Sequence, residues 1–210
     1  MISFFKKLRN IKLNRGMTYV ELIVVLSIFS LMSSVVVFNY GQFQAKVDIK
    51  NLANDIAVKV VEAQKASIFG KFPSLAQQAS ITATWKPSYG IYLNLSTDNK
   101  SFLYFADLQN PQPQNNVFDG TDCTVECIEK ISITKGNYIS RLDVFYLDAT
   151  PTASINNATV SFVRPDSTAV INSVPALPSN NIDYLQITIV SPKTIQAVIK
   201  LYASGRIQIN

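Results

Sequence analysis

The stretch LRNIKLNRGMTYVEL, residues 8–22, decides the fold, because a basic leader ends there and a long apolar run begins. The leader stops at Gly16, and all its charged residues are basic. From Leu22 to Phe38 the chain is apolar apart from four serines, and a single acid, Glu21, directly precedes this run. As a helix, Met17 to Phe38 would span roughly 33 Å, enough for a bilayer core of about 30 Å, so this stretch predicts a membrane span.

The apolar run is expected to stay in the mature protein. An ordinary secretory signal is cut after its apolar stretch, at a small-x-small site. The candidate sites after the run end at Gly41 and Ala45, but Asn39 and Phe43 occupy the positions where a small residue is needed. If cleavage instead follows Gly16, the positive-inside bias keeps the basic leader in the cytoplasm and the rest of the chain faces outward.

Gly16, Met17 and Glu21 together resemble the type III signal of type IV pilins and type II secretion pseudopilins. The resemblance implies that a prepilin peptidase removes residues 1–16 and methylates the new N-terminus at Met17. It also implies other pilin or pseudopilin subunits, a membrane assembly platform and, before assembly, the lipid bilayer as partners. The expected location is the inner membrane, single-pass with the head outside, and then a periplasmic or cell-surface filament.

Three short segments further along have a narrower likeness. Asn51–Lys71, Tyr89-Gly90-Ile91 and Ser204-Gly205-Arg206-Ile207 resemble the H-type minor pseudopilins and the FimT-like minor pilins. This likeness implies a minor subunit of a type II secretion or type IV pilus filament. An alternative from a different class is a filament-tip binding module for DNA uptake or adhesion.

The net charge of the chain belongs to the leader. Five of the 19 Lys and Arg residues precede Met17, which leaves 14 basic residues against 14 acidic ones in the remainder. The formal charge of +5 therefore disappears on processing. Electrostatic binding of nucleic acid by the mature chain as a whole is accordingly disfavoured.

The distribution of proline and glycine predicts one long helix. All nine prolines lie at Pro73 or later, and Gly41 is the only glycine between Met17 and Phe69. We expect a membrane and assembly half over residues 17–41 and an amphipathic half over residues 42–71. The amphipathic half has apolar residues at three- and four-residue steps; they are Ala45, Ile49, Leu52, Ile56, Val60 and Ala63.

Residues 72–210 read as one β-rich globular head that covers the amphipathic half, which makes the fold class α+β and pilin-like. Short apolar runs separated by turn residues predict the strands. These runs are Gly90–Leu95, Phe102–Ala106, Ile128–Ile133, Leu142–Leu147, Thr159–Val163, Leu185–Val190, Ile195–Tyr202 and Arg206–Ile209. Gln109–Asn116 and Ser173–Asn181 are rich in Pro, Asn and Ser and read as exposed loops.

Glu21 has two compatible interpretations. Thr18 and Glu21 have the spacing of a capping box, in which each side chain bonds the backbone N–H of the other residue. A carboxylate near lipid also usually has a charged partner. The α-amino group of Met17 on a neighbouring subunit would provide one after cleavage and would favour filament growth.

Cys123 and Cys127 lie in an acidic loop and, in a chain that faces outward, are expected to form a short disulfide. Two free thiols are the alternative. Asp119, Asp122, Glu126 and Glu129 offer oxygen ligands for calcium, although their spacing is not that of an EF-hand loop. Zinc is disfavoured, because the chain has no histidine and only two cysteines, too few ligands for a zinc site.

An enzyme is not expected, and neither is a cofactor. The absence of histidine excludes the Ser-His-Asp and Cys-His schemes, and the chain lacks a P-loop, a GxGxxG loop and a nucleophile elbow. A binding module would use the abundant head aromatics, most of which are expected in the core; they include Tyr89, Tyr92, Phe102, Tyr104, Phe105, Tyr138, Phe145 and Tyr146. The absence of catalytic motifs favours a mechanical subunit.

Overall fold

The structure is a computed structural model that describes residues 16–109, 113–120, 123, 125–148 and 150–210. Residues 1–15 of the predicted leader lie outside the described residues. The described residues form an α+β fold with one long α-helix and ten strands in two antiparallel five-stranded sheets. The predicted fold class, a long N-terminal helix packed on a β-rich head, is confirmed.

Helix α1 runs from Tyr19 to Ile68 without a break at Gly41. Its 50 residues correspond to roughly 75 Å at about 1.5 Å per residue. The boundary between two compact units lies within α1, after Gly41. In the first unit the apolar side chains point into open space, from Leu22, which is 45% exposed, to Phe38, which is 83% exposed. By length and composition, α1 is able to cross a membrane once.

In the second unit, α1 places its apolar stripe in the core. Five of the six predicted stripe residues are buried, and Ala45 is half-buried; the five are Ile49, Leu52, Ile56, Val60 and Ala63. They join one cluster with side chains from both sheets. The amphipathic pattern thus identifies the face of α1 that the head covers.

Two sheets build the head. Sheet A has the strand order β3-β2-β1-β6-β7, and sheet B has the order β10-β9-β8-β4-β5. The strands are β1 (Ser88–Asn94), β2 (Asp98–Ala106), β3 (Cys127–Ser132), β4 (Tyr138–Tyr146), β5 (Ala153–Ile155), β6 (Asn157–Val163), β7 (Ala169–Asn172), β8 (Ile182–Val190), β9 (Gln196–Tyr202) and β10 (Ile207–Ile209). Eight of them correspond to the predicted strands, whereas β5 and β7 were not predicted.

The end of α1 is fastened to sheet A. Gly70 has a φ of 66°, and the Lys71 N–H donates to Ala66 O at 2.9 Å, which is the glycine-terminated Schellman motif. One turn earlier, the buried Ser67 Oγ donates to Phe162 O at 2.6 Å and accepts the Tyr89 N–H at 3.0 Å. The helix therefore ends where it is hydrogen-bonded to both β1 and β6.

A second, smaller core lies on the other face of sheet A. Leu103, Phe105, Phe118 and Cys127 form this cluster, and Tyr92 packs against it. Phe118 belongs to the segment between β2 and β3, so that segment folds back over the outer face of the sheet. The fold thus places Phe118 and Cys127, which lie on either side of Asp119 and Glu126 in the sequence, on the face of sheet A opposite the main core.

Candidate functional site

The N-terminus of α1 contains the capping box that the sequence predicts. The Glu21 N–H donates to Thr18 Oγ1 at 3.2 Å, and the Thr18 N–H donates to Glu21 Oε2 at 3.4 Å. Both side chains are exposed. The box satisfies two of the helix's free N–H groups, yet it leaves the second carboxylate oxygen of Glu21 open to another donor.

Gly16 and Met17 lie just before the helix, in chain without regular secondary structure. A Cβ at Gly16 would meet no atom within 4 Å, and Met17 is 61% exposed. Open space around this peptide bond is what a peptidase needs to reach it. The role of these two residues in processing stays a prediction.

The two cysteines are joined in the structure. Cys123 and Cys127 form a disulfide across four positions, with a Cα–Cα distance of 4.7 Å. Cys127 begins β3 and packs in the outer cluster of sheet A. The bond therefore closes the acidic loop directly against the sheet.

We expect peptide mapping of the exported protein without reductant to recover Cys123 and Cys127 in one linked species. Loop closure over so few residues stabilises the fold by only about 2 kcal/mol, so Cys123→Ser should lower the melting temperature modestly and leave the head folded. Alkylation of both thiols in untreated exported material would contradict the bond.

The predicted calcium ligands have other partners where they are described. Asp119 accepts from Asn115 Nδ2 at 3.1 Å, and Glu129 accepts from Lys59 Nζ at 2.7 Å. Asp122 lies outside the described residues. Among the described residues, no three His, Cys, Asp or Glu side chains come together as a metal site.

Glu126 is the acidic residue of this loop that the fold buries. It is 5% exposed, and its two oxygens accept the Leu108 N–H at 3.1 Å and the Asp119 N–H at 2.9 Å. Burial raises the pKa of its carboxyl, and the nearby Asp119 raises that pKa further. The side chain therefore holds two loop segments together from the inside.

Asp107 is a second buried carboxylate, and the sequence does not reveal it. It is 0% exposed and follows β2. Its Oδ2 accepts the Asn116 N–H at 2.7 Å, while its carbonyl accepts Trp85 Nε1–H at 2.7 Å. Burial raises the pKa of Asp107 to about 7, and the charge of Glu126 adds to the increase.

The raised pKa of Asp107 predicts how stability changes with pH. Its folded pKa of about 7 exceeds the ordinary 3.8, so the folded state holds the proton more tightly than the unfolded state. This contribution to stability is complete below about pH 4 and is lost as the pH rises to about 7. With EDTA present to remove metal ions, the free energy of unfolding of the wild type should therefore fall between pH 4 and pH 8. Asp107→Asn should make this fall smaller.

Asp148→Asn is the control for that measurement. Hydrogen bonds from Thr150 and Ser179 lower the pKa of Asp148, so its contribution has the opposite sign and is lost as the pH falls. The control should keep the wild-type decrease above pH 4. A wild-type slope in Asp107→Asn would show that another group causes the pH dependence.

The head aromatics divide between the core and the surface. Tyr89, Phe102, Tyr104 and Phe105 are at most 1% exposed, so half of the set is buried where most of it was expected to be. The other four predicted core aromatics are half-buried; they are Tyr92, Tyr138, Phe145 and Tyr146. Half of this set is thus unavailable to a surface ligand.

An apolar groove of about 1090 Å³ runs between α1 and β10. Ala57, Val58 and Val61 line it from the helix, and Ile207 and Ile209 line it from the strand. Val58 is 63% exposed, so the groove is open on its outer side. The sequence does not predict this surface, because the spacing of apolar residues along α1 identifies only the helix face that the head covers.

Comparison with family models, with curated proteins and with solved structures finds no match to this chain, so the sequence and the geometry above are what bear on its function.

Proposed function

We propose that this protein is a minor pilin-like subunit, a pseudopilin of a type II secretion or type IV pilus filament. In this proposal a prepilin peptidase cuts after Gly16, the exposed helix anchors the chain in the inner membrane, and the subunit then enters a filament. The subunit is mechanical and has no chemistry of its own. The observation that carries the proposal is the junction of Gly16, Met17 and Glu21 with an exposed apolar helix.

The energetics of Glu21 support assembly as the role of this junction. A charged side chain within the bilayer costs on the order of 3 kcal/mol on insertion scales. The capping box uses one carboxylate oxygen and does not neutralise the charge. The free α-amino group of Met17 on a neighbouring subunit would do so, which makes the assembled state more favourable than the isolated one.

The exposed apolar surfaces support subunit packing as well. The first unit leaves its apolar side chains open, as a helix does that contacts lipid or other helices. In the second unit, the groove between α1 and β10 adds an apolar surface on the head itself. Exposed apolar patches of this kind mark interaction sites.

Intact-mass analysis of membranes and filaments tests the proposal. Because the apolar run must be kept, the mature chain should begin at N-methylated Met17 in cells with an active prepilin peptidase. Gly16→Leu should block cleavage and leave the full precursor, whereas the conservative Arg15→Lys should be processed normally. A mature chain that begins after Phe38 would rule out the proposal.

A further inference from the structure

Three oxygen atoms on the outer face of sheet A are buried without a hydrogen-bond partner among the described residues. They are Ser88 Oγ, Asp107 Oδ1 and Asn116 Oδ1. Ser88 and Asp107 are both 0% exposed. An unpaired buried polar atom destabilises the fold, and proteins usually satisfy such atoms with ordered water or an ion.

The three residues are neighbours. The Asp107 N–H donates to Ser88 O at 3.0 Å, and in the register the adjacent pair is Tyr89 with Ala106. Ser88 and Asp107 therefore lie opposite each other, and side chains of opposite residues share one face of a sheet. Asn116 joins them, because its N–H donates to Asp107 Oδ2.

The charge at this place is negative and uncompensated. Glu126 bonds the N–H of Leu108, the residue after Asp107, so the two buried carboxylates lie close together. Burial and neighbouring acids raise the pKa of each carboxyl, and neither carboxylate forms a salt bridge among the described residues. A buried carboxylate with one unpartnered oxygen, next to a second buried carboxylate, favours a bound cation.

We infer that Ser88, Asp107, Asn116 and Glu126 form a binding site for a divalent cation of the calcium type, which we call the oxygen site. Asp107 Oδ1 and Asn116 Oδ1 are its direct ligands. Ser88 Oγ and one oxygen of Glu126 are the remaining protein ligands. The Glu126 oxygen can bind the ion although it already accepts an N–H, because a carboxylate oxygen has a second lone pair. Only Glu126 belongs also to the predicted calcium set.

The donor atoms select the class of metal. All are hard oxygens of carboxylate, amide and hydroxyl groups, which suit Ca²⁺ with its six to eight ligands and flexible geometry. Mg²⁺ demands near-ideal octahedral geometry, whereas Ca²⁺ accepts an irregular set of oxygens such as this one. Zn²⁺ and Cu²⁺ prefer imidazole or thiolate, which the oxygen site lacks. A bound Ca²⁺ would connect the end of β2 to the middle and the end of the following loop.

Terbium luminescence with the full-length chain in detergent tests the inference. Tb³⁺ replaces Ca²⁺ at oxygen sites and emits when a nearby indole is excited. Trp85 is the only tryptophan in the chain, and its Nε1–H donates to the Asp107 carbonyl. After EDTA treatment and its removal, titration should give a saturable emission at one ion per chain, and Ca²⁺ should displace it.

Two variants locate the ion. Asp107→Asn removes the charge but keeps the acceptor for the Asn116 N–H. Asn116→Gly removes the amide oxygen and suits the φ of 62° at that position. Each should weaken terbium binding at least tenfold, whereas Asp148→Asn, which changes an exposed carboxylate, should bind as the wild type does. Circular dichroism verifies that each variant is folded.

Each contrary outcome overturns the inference. Wild-type protein that gives no saturable emission with millimolar Tb³⁺, and no rise in melting temperature with Ca²⁺, has no such site. Wild-type affinity in both Asp107→Asn and Asn116→Gly places the ion elsewhere. An equal loss in Asp148→Asn shows adventitious binding to surface carboxylates.

Discussion

Glu21→Ala is expected to leave membrane insertion and leader removal intact while reducing incorporation into filaments at least tenfold. The substitution removes the attraction between the Glu21 carboxylate and the Met17 amino group of the next subunit. A loss of about 1.4 kcal/mol already lowers an association constant tenfold. The measurement is the ratio of this subunit in sheared filaments to that in the membrane fraction, by immunoblot.

Two further variants separate charge from capping. Glu21→Gln retains a side chain that can complete the box with Thr18 but carries no charge. Thr18→Ala removes the other half of the box and costs about 1 kcal/mol at the start of the helix. We expect Glu21→Gln to fail in incorporation and Thr18→Ala to succeed. Normal incorporation of Glu21→Gln would mean that capping alone explains the acid.

Ile56→Asp is expected to unfold the head. Ile56 is 0% exposed in the middle of the stripe that α1 contributes to the main core. The change loses about 2–3 kcal/mol of apolar burial and adds the cost of an unpaired buried carboxylate, which is at least as large. Together these approach the whole stability of a typical domain, about 5–15 kcal/mol. Limited proteolysis of the exported protein is the readout.

Val58→Asp is the matched control. Val58 lies two residues further along the same helix but is 63% exposed in the groove. The same substitution there places the carboxylate in water, so the head should stay folded and resist the protease. Equal resistance of the two variants would show that α1 buries a different face.

Long periodic elements could be predicted, because their burial follows from their own residues. The three- and four-residue spacing from Ile49 to Ala63 identifies the covered face of α1 without reference to the sheets. Strands such as Leu185–Val190 have enough apolar residues to be recognised alone. β5 and β7 have three and four residues and lie at sheet edges, so their pairing depends on β4 and β6 rather than on a pattern of their own.

The two candidate sites also differ in whether they can be recognised from the sequence. Gly16, Met17 and Glu21 form a linear signal within six residues, so they can be recognised in the sequence. The oxygen site depends on the register that brings Ser88 opposite Asp107 and on a loop that returns Asn116 to them. Nothing in the local sequence separates a buried aspartate from a solvated one, because the difference arises only from tertiary packing.

The pairing of β1 with β6 also bears on the order of folding. Ser88 pairs with Val163, so sheet A is incomplete until the chain has been synthesised to that point. Contacts of such large sequence separation form slowly, because loop closure precedes any stabilising contact. The apolar stripe of α1 therefore emerges first and remains uncovered until the middle of the head follows. A chaperone or a membrane surface that shields this stripe would determine how much of the chain escapes aggregation.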